Sequence, residues 1–290
     1  GASGRGNDMT YRVNANMRNI KGVMKDDYRN TIGLSMFLSY HVDNRVTVSF
    51  QSSYSDLTWK ESPYGSFSDY VIMNPYDAPY DEYGRVNKTM SWEMANPLFE
   101  AECGNYDEGA SRSFTNTLSF RWDVLPGFFI NGTGTIVTSR ERTEKFISPE
   151  SNEFKDVANR SEQGSLSINN IRRLSYEGKF VVNYAKNLGE DYLLTLHGGF
   201  DISKKTQTMD GYTAYGFYKS SLHAPNFAAG FGEGRRPTGT DDIETSVGPF
   251  INANFIMKNR YFVDGSFRRS GSSKFGDENR FAPFWSVGAG

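Results

Sequence analysis

The chain has 290 residues, 37% of them hydrophobic and 15% aromatic, with a formal net charge of −2 at pH 7. A balance this close to neutral excludes the strong positive field of a nucleic-acid binder, and the single cysteine, Cys103, excludes an intrachain disulfide or a cysteine metal cluster. Abundant Phe, Tyr and Gly favour strands and turns over helices, and no apolar run approaches the roughly 20 residues of a membrane-crossing helix.

Period-two alternation dominates. In chain order, about ten segments carry it. Tyr11, Val13, Ala15 and Met17 form the first apolar face, then Leu34, Met36, Leu38 and Tyr40, then Val46, Val48 and Phe50. Leu118, Phe120 and Trp122 follow, then Phe128, Ile130 and Ile136. The clearest has Leu174, Tyr176, Phe180, Val182 and Tyr184 on one face against Ser175, Glu177, Lys179 and Asn183 on the other. Tyr192, Leu194, Leu196, Phe200 and Ile202 come next, then Val247, Ile251, Ala253, Phe255 and Met257. The last two carry Tyr261, Val263 and Phe267, and then Trp285, Val287 and Ala289. Segments of roughly 10–13 residues exceed the ordinary globular strand and match what a tilted strand needs to cross a bilayer.

The connections alternate in length. "VDNR", "VLPG", "KNLGED" and "MKNR" are short, whereas 58–111, 140–163, 204–245 and 270–284 are long. All tight turns then lie at one end of the sheet and all long loops at the other, the arrangement of an outer-membrane barrel. Trp122, Phe128, Tyr184, Tyr192 and Tyr261 flank successive tight turns with apolar-face parity, where a barrel carries its aromatic girdle in contact with outer-membrane lipid. The alternative is that each ring caps the core of a soluble sheet. Charged residues on the opposite face would line a wet lumen; in a soluble core each would need a partner. That division also accounts for a mean hydropathy of −0.59.

The start, "GASGRGNDMTYRV", and the end, "FWSVGAG", both read as the interior of a longer protein. The expected fold is therefore all-β: an antiparallel transmembrane β-barrel, partial, with residues 1–290 supplying about ten strands of a larger wall.

No catalytic set stands out. His41 and His197 have lumen parity and Asp201 follows His197 on the same strand, but a hydrolase needs a nucleophile and base oriented by a third group. Asp81 with Glu82, and Asp241 with Asp242, read as turn and loop residues, so neither a metal nor a cofactor is expected. The "GFGEG" run lacks a strand-to-helix context for phosphate. The loop 58–111 holds Trp59, Tyr64, Phe67, Tyr70 and Trp92, whose flat faces are suited to stack on sugar rings, or else to pack the loop on itself.

The stretch 259–290 resembles one characteristic of the SusC/RagA family of TonB-dependent outer-membrane transporters: Arg268, Arg269, Gly271, Ser272, Ser273, Lys274, Phe275 and Gly276 stand in the family's order. Ser270 replaces the usual Asp, and Trp285 stands where Pro is common. "NPYDAPYDEYGRVNK…NPLFE" (74–100) is similar to the family's first long loop, and 176–201 to its Asn-Tyr-x-Lys hairpin. The resemblance implies a barrel of about 22 strands with an N-terminal plug, a SusD-like surface lipoprotein as lid, and import of oligosaccharides, sometimes peptides, driven by the inner-membrane TonB complex. It implies that this chain is part of the barrel wall, without the plug domain and the C-terminal strands, located in the Gram-negative cell outer membrane and not an enzyme. Two rivals remain at this point: a cell-surface β-sheet module binding polysaccharide, and a small closed porin or barrel hydrolase.

Overall fold

The computed structural model describes residues 1–43, 45–276 and 280–290. Asn44 of the "VDNR" turn and residues 277–279 of the 259–290 stretch lie outside the described residues. Eleven strands form one sheet: β1 (Ala2–Arg5), β2 (Met9–Lys21), β3 (Tyr28–Val42), β4 (Val46–Lys60), β5 (Tyr106–Leu125), β6 (Phe128–Ile147), β7 (Ser165–Asn187), β8 (Tyr192–Tyr215), β9 (Thr238–Met257), β10 (Tyr261–Ser272) and β11 (Phe281–Ala289). Every strand pairs antiparallel with the next in sequence, so the sheet is an uninterrupted meander. β1 and β11 are its edges, and among the described residues they do not pair with each other; the small closed barrel is not what this chain forms.

The sequence leads one to expect about ten strands of roughly 10–13 residues; the sheet has eleven, and its central strands β5 to β9 are longer, at 20–24 residues. β1 is four residues of "ASGR", too short and too polar to show alternation. β7 and β8 run 23 and 24 residues. On β8 the outward apolar series ends at Ile202, and the same face continues through Lys204, Thr206, Thr208 and Asp210. The hydrogen-bonded ladder continues where neither face is apolar, so hydrophobic periodicity falls silent while the strand goes on. The long connections shorten accordingly, to 61–105, 148–164, 216–237 and 273–280.

Their alternation with tight turns holds throughout. Turns 6–8, 43–45, 126–127, 188–191 and 258–260 lie at one end, and 22–27 joins the long loops at the other. The turn at 126–127 shows how tight the first end is. Pro126 precedes Gly127 at φ 78°, the left-handed value a type II turn requires at its second central residue. Ala185 N–H donates to the Gly127 carbonyl at 2.7 Å, and a Cβ on Gly127 would collide with the Ala185 carbonyl.

The two faces differ as the parity predicts. Leu34, Ile136, Ile202 and Ile251 are 46–54% exposed on the apolar face, and they belong to a contiguous apolar band far larger than water tolerates on a monomer. The opposite face is polar and internally paired: Thr117 with Thr135 at 3.1 Å, His197 with Asn183 at 2.7 Å, and Arg121 over the Phe129 ring at 4.0 Å. Among the described residues no helix is long and apolar enough to cross a membrane. The buried core sits at the loop end instead, where Phe146, Leu166, Ile168 and Ala214 pack with Phe217 of the 216–237 loop.

Adjacent residues on β7 test the division of faces. Phe180, stacked on Phe200 at 5.8 Å, lies within the apolar band, and Val181 faces the polar side. Phe180→Lys is expected to destabilise the folded wall by about 2–4 kcal/mol and Val181→Lys by under ~1 kcal/mol, read from denaturant midpoints of the protein refolded in lipid vesicles.

Candidate functional site

The 61–105 loop is an ordered structure built around two polar residues. Asn96, fully buried, caps helix α2 (Pro97–Glu102) by accepting from Leu98 N–H at 3.1 Å. Its amide donates to the carbonyls of Pro79 at 2.9 Å and Asn87 at 2.7 Å. Pro97 fits the first helical turn because that position needs no N–H partner. Glu100 then latches the loop to its neighbour, accepting from Asn105 Nδ2 (2.9 Å), Ser151 Oγ (2.6 Å), Asn152 N–H (2.8 Å) and Asn152 Nδ2 (2.9 Å). Neither residue was singled out from the sequence as a functional position. The signal was the Asn-Pro-Leu of "NPLFE", noted only as part of a resemblance.

This frame encloses a cleft of about 840 Å³ between the 22–27 turn and the 61–105 and 148–164 loops. Tyr64, Phe67, Ile72, Met73, Tyr106 and Phe146 supply apolar wall, and Asp27, Glu61, Asp69 and Asp107 supply carboxylates. A second cavity of about 560 Å³ shares Tyr64 and Phe67 and adds Tyr70, Tyr80 and Lys25. Lys25 Nζ lies 5.3 Å from the Tyr64 ring centroid, and hydrogen bonding to Tyr64 raises the Lys25 pKa. Helix α1 (Phe67–Val71) is set by Asp69, whose carboxylate accepts from Ser66 N–H at 2.8 Å and Ser66 Oγ at 2.9 Å; burial raises the Tyr70 pKa.

Of the five aromatic residues expected to meet substrate, the fold brings Tyr64, Phe67 and Tyr70 together. Trp59 lies apart in β4 with its ring over Gly109 on β5. Trp92 is 90% exposed at φ 61° and lines neither cavity. The aromatics flanking the tight turns do gather at one end. Phe128 and Tyr184 are directly paired with rings 6.3 Å apart, Tyr192 and Tyr261 both oppose Met257, and Trp122 opposes Val46 and Ile130.

The Arg-Arg run at the end of β10 has a structural explanation. Arg268 crosses the face of β9 to reach Asp201 on β8 at 2.8 Å, and its Nε donates to Ser270 Oγ at 2.8 Å. The residue it crosses is Gly248, the register partner of Asp201, and a Cβ there would collide with the guanidinium. Asp201 is therefore engaged by Arg268, while His197 bonds Asn183. Arg269 lies over the Phe281 ring at 4.9 Å, and Gly271 opposes that same residue. Ser273 exchanges hydrogen bonds with Thr245: its N–H donates to the Thr245 carbonyl and its Oγ accepts from the Thr245 N–H, each at 2.9 Å. Ser272 Oγ accepts from Lys274 N–H at 3.2 Å, its carbonyl accepts from Phe275 N–H, and Gly276 follows.

What this arrangement can do is bind. Flat rings beside carboxylates stack on a sugar or side chain and accept its hydroxyl or amide protons. Cys103 is buried, and burial with the neighbouring Glu100 pushes its thiol up to about 12, so it stays protonated at neutral pH.

A strictly antiparallel meander with tight turns at one end, long loops at the other, one apolar and one polar face defines part of an outer-membrane β-barrel wall. The comparisons narrow that class: the chain is similar over nearly its whole length to TonB-dependent receptors. It is 21% identical over 306 aligned positions to the TonB-dependent receptor P26 of Formosa agariphila, covering 99% of this chain and 29% of that protein. Its fold matches the RagAB peptide importer in the open-open state with a TM-score of 0.79 at 17% identity, covering 99% of this chain and 32% of that one. The siderophore receptor PiuA of Acinetobacter baumannii matches at 0.56 and 11% identity, over 98% of this chain and 42% of that one. The chain thus spans about a third of the length of the first relatives it matches. No family model matches it.

Two expectations follow. Asn96→Ala removes the α2 cap and strands two carbonyls, at a cost of about 1–2 kcal/mol; limited proteolysis of the folded protein should then cut within 61–105 several times faster. A double-mutant cycle of Asp201→Asn with Arg268→Gln should give a coupling of only about 0.5–1 kcal/mol, because both side chains are partly solvated, measured by denaturant unfolding.

Proposed function

We propose that residues 1–290 form part of the barrel wall of a TonB-dependent importer in the outer membrane, taking up oligosaccharides or peptides together with a SusD-like surface lipoprotein. The observation that carries this reading is the eleven-strand meander itself, with its lipid-suited face, its polar face and its one-sided loops, superposing over 99% of the chain on an importer barrel. The free edges of β1 and β11 support the rest of the assignment. An open edge leaves backbone groups that lipid does not satisfy, which supports a wall completed by further strands; in this reading a plug fills the lumen. In this reading the five turn-flanking aromatics sit at the periplasmic headgroup level. The cleft holding Tyr64, Phe67 and Tyr70 lies at the extracellular rim, where a lipoprotein lid would present substrate.

The reading is tested by locating the polypeptide that carries residues 181–196. Immunoblots should find it in the outer-membrane fraction, at several times the 32.7 kDa of this chain, with a lipoprotein co-purifying. A soluble species of that mass would overturn it in favour of a cell-surface binding module. In cells, uptake of the labelled oligosaccharide or peptide should stop when the proton-motive force is collapsed. Replacing Tyr64, Phe67 and Tyr70 singly by Ala should weaken substrate binding by about 0.5–1.5 kcal/mol per ring, read by calorimetry on the detergent-solubilised complex.

A further inference from the structure

Above the apolar band, the outward face carries a row of arginines that an antiparallel sheet would ordinarily avoid. Arg112 on β5 lies directly opposite Arg140 on β6, and Arg140 directly opposite Arg172 on β7. Like charges placed directly across strands repel. The outer two each have an acid: Arg112 bonds Asp56 at 3.0 Å and Arg172 bonds Asp210 at 3.1 Å. The Arg142 guanidinium, one outward position above Arg140, is engaged by Glu144 at 2.9 Å. Arg140, in the middle, is exposed and has no acidic partner among the described residues.

Below this row the same face holds an apolar groove of about 520 Å³. Its floor is formed by Gly134 on β6 and Gly178 on β7, which are register partners and so leave a notch with no side chain on either strand. Leu118, Ile136, Tyr176 and Ile202 wall it, and Lys204 stands at its lip opposite Tyr176. Gly134 and Arg140 are about 20 Å apart along the strand, at roughly 3.3 Å per residue, which is the length of a fatty acyl chain.

We propose that this face binds a phosphorylated lipid of the outer leaflet, with the phosphate held between Arg112, Arg140 and Arg172 and an acyl chain in the Gly134–Gly178 groove. Guanidinium groups at successive strand spacings offer a phosphate several charge-assisted hydrogen bonds, and an anion seated at Arg140 removes the repulsion that the row creates. A free phosphate ion would explain the arginines and leave the groove and Lys204 without an occupant. The inference rests on the outer-membrane reading above, since only there does this face meet such a lipid.

The test uses the protein carrying this chain, extracted from outer membranes in non-ionic detergent, with monophosphoryl lipid A as probe and its dephosphorylated form as control. Binding is read by native mass spectrometry. The expected result is preference for the phosphorylated lipid, weakened about tenfold or more by Arg140→Gln combined with Arg172→Gln, and weakened also by Gly134→Phe, which fills the groove. Arg173→Gln should leave binding unchanged, because Arg173 faces the other side and bonds Gln207 at 2.8 Å and Glu141 at 3.4 Å. Arg140→Gln alone breaks no ion pair and serves as the variant least prone to misfolding. Equal binding of the two lipids, indifference to the arginine changes, or full displacement by millimolar inorganic phosphate would overturn the proposal. Any of these with the protein still in the outer membrane leaves the transporter reading standing. Recovery in the soluble fraction overturns both.

Discussion

Backbone hydrogen bonding is the constraint from which the rest of this structure follows. A strand that contacts hydrocarbon has no water to satisfy its N–H and C=O groups, so every one must be paired within the sheet. The uninterrupted meander meets that demand on both sides of β3 to β8, whereas β2 beyond Val13 outruns the four-residue β1 and is open on one side. Once the ladder is fixed, alternation assigns each side chain to one face or the other. A single register slip would carry Phe180 and Val182 to the polar side and Lys179 and Asn183 into lipid, so the register of β6, β7 and β8 is specified by the cost of that exchange. The tight turn at 126–127 fixes that end of its hairpin, whose one extra residue, Val124, is taken up by a register shift between Asp123 and Leu125.

The two ends of the sheet are stabilised by different physics. Near the tight turns there is little buried core; rings such as Phe128 and Tyr184 are half-buried and pair across adjacent strands. At the loop end the strands rise beyond the apolar band, and the protein builds a conventional core there. Phe146 meets Phe217 edge-on at 5.3 Å, and Tyr106 stacks on Phe146 at 5.7 Å. Asn96 and Glu100 complete that end with hydrogen bonds whose loss would strand buried partners. The loops are thus held by contacts independent of lipid, and that independence is what allows a loop cluster to carry a shaped cleft.

Much of this was legible in the sequence where one face of a strand is apolar. Residues 174–184 alternate cleanly, and their strand, its faces and its following turn were readable from them. The stretches of β5 to β9 between the apolar band and the loop-end core were not, because both faces there are polar, and the core beyond them shows only as short pieces such as Leu166 and Ile168. β1 was silent for the same reason. In the cleft, composition pointed to Tyr64, Phe67 and Tyr70, but Trp59 and Trp92 were indistinguishable from them without the path of the chain. Glu100 was missed because its partners Ser151 and Asn152 are some fifty positions away. The nearness of Asp201 to His197 in sequence did not reveal the partner of either. Two residues four apart on a strand share a face, yet the stronger partner, Arg268, arrives from two strands over through a gap that only the glycine at 248 leaves open.

That glycine clarifies what the Arg-Arg-containing run at the end of β10 does. Asp201 and Arg268 are both partly solvated, so their ion pair adds little to stability. Its geometric effect is larger: it ties β8 to β10 across β9, while Ser273 ties the end of β10 to Thr245 on β9 and Lys274 reaches Glu244 at 2.9 Å. The three strands are cross-linked just where the ladder leaves the apolar band and the 273–280 loop begins. A run noted in the sequence only for its family resemblance therefore acts as a clamp on strand order, and its charge is spent on Asp201 and Glu244. The arginine row at Arg112, Arg140 and Arg172 lies instead on the opposite face, where no motif marked it, and its middle member has no acidic partner among the described residues.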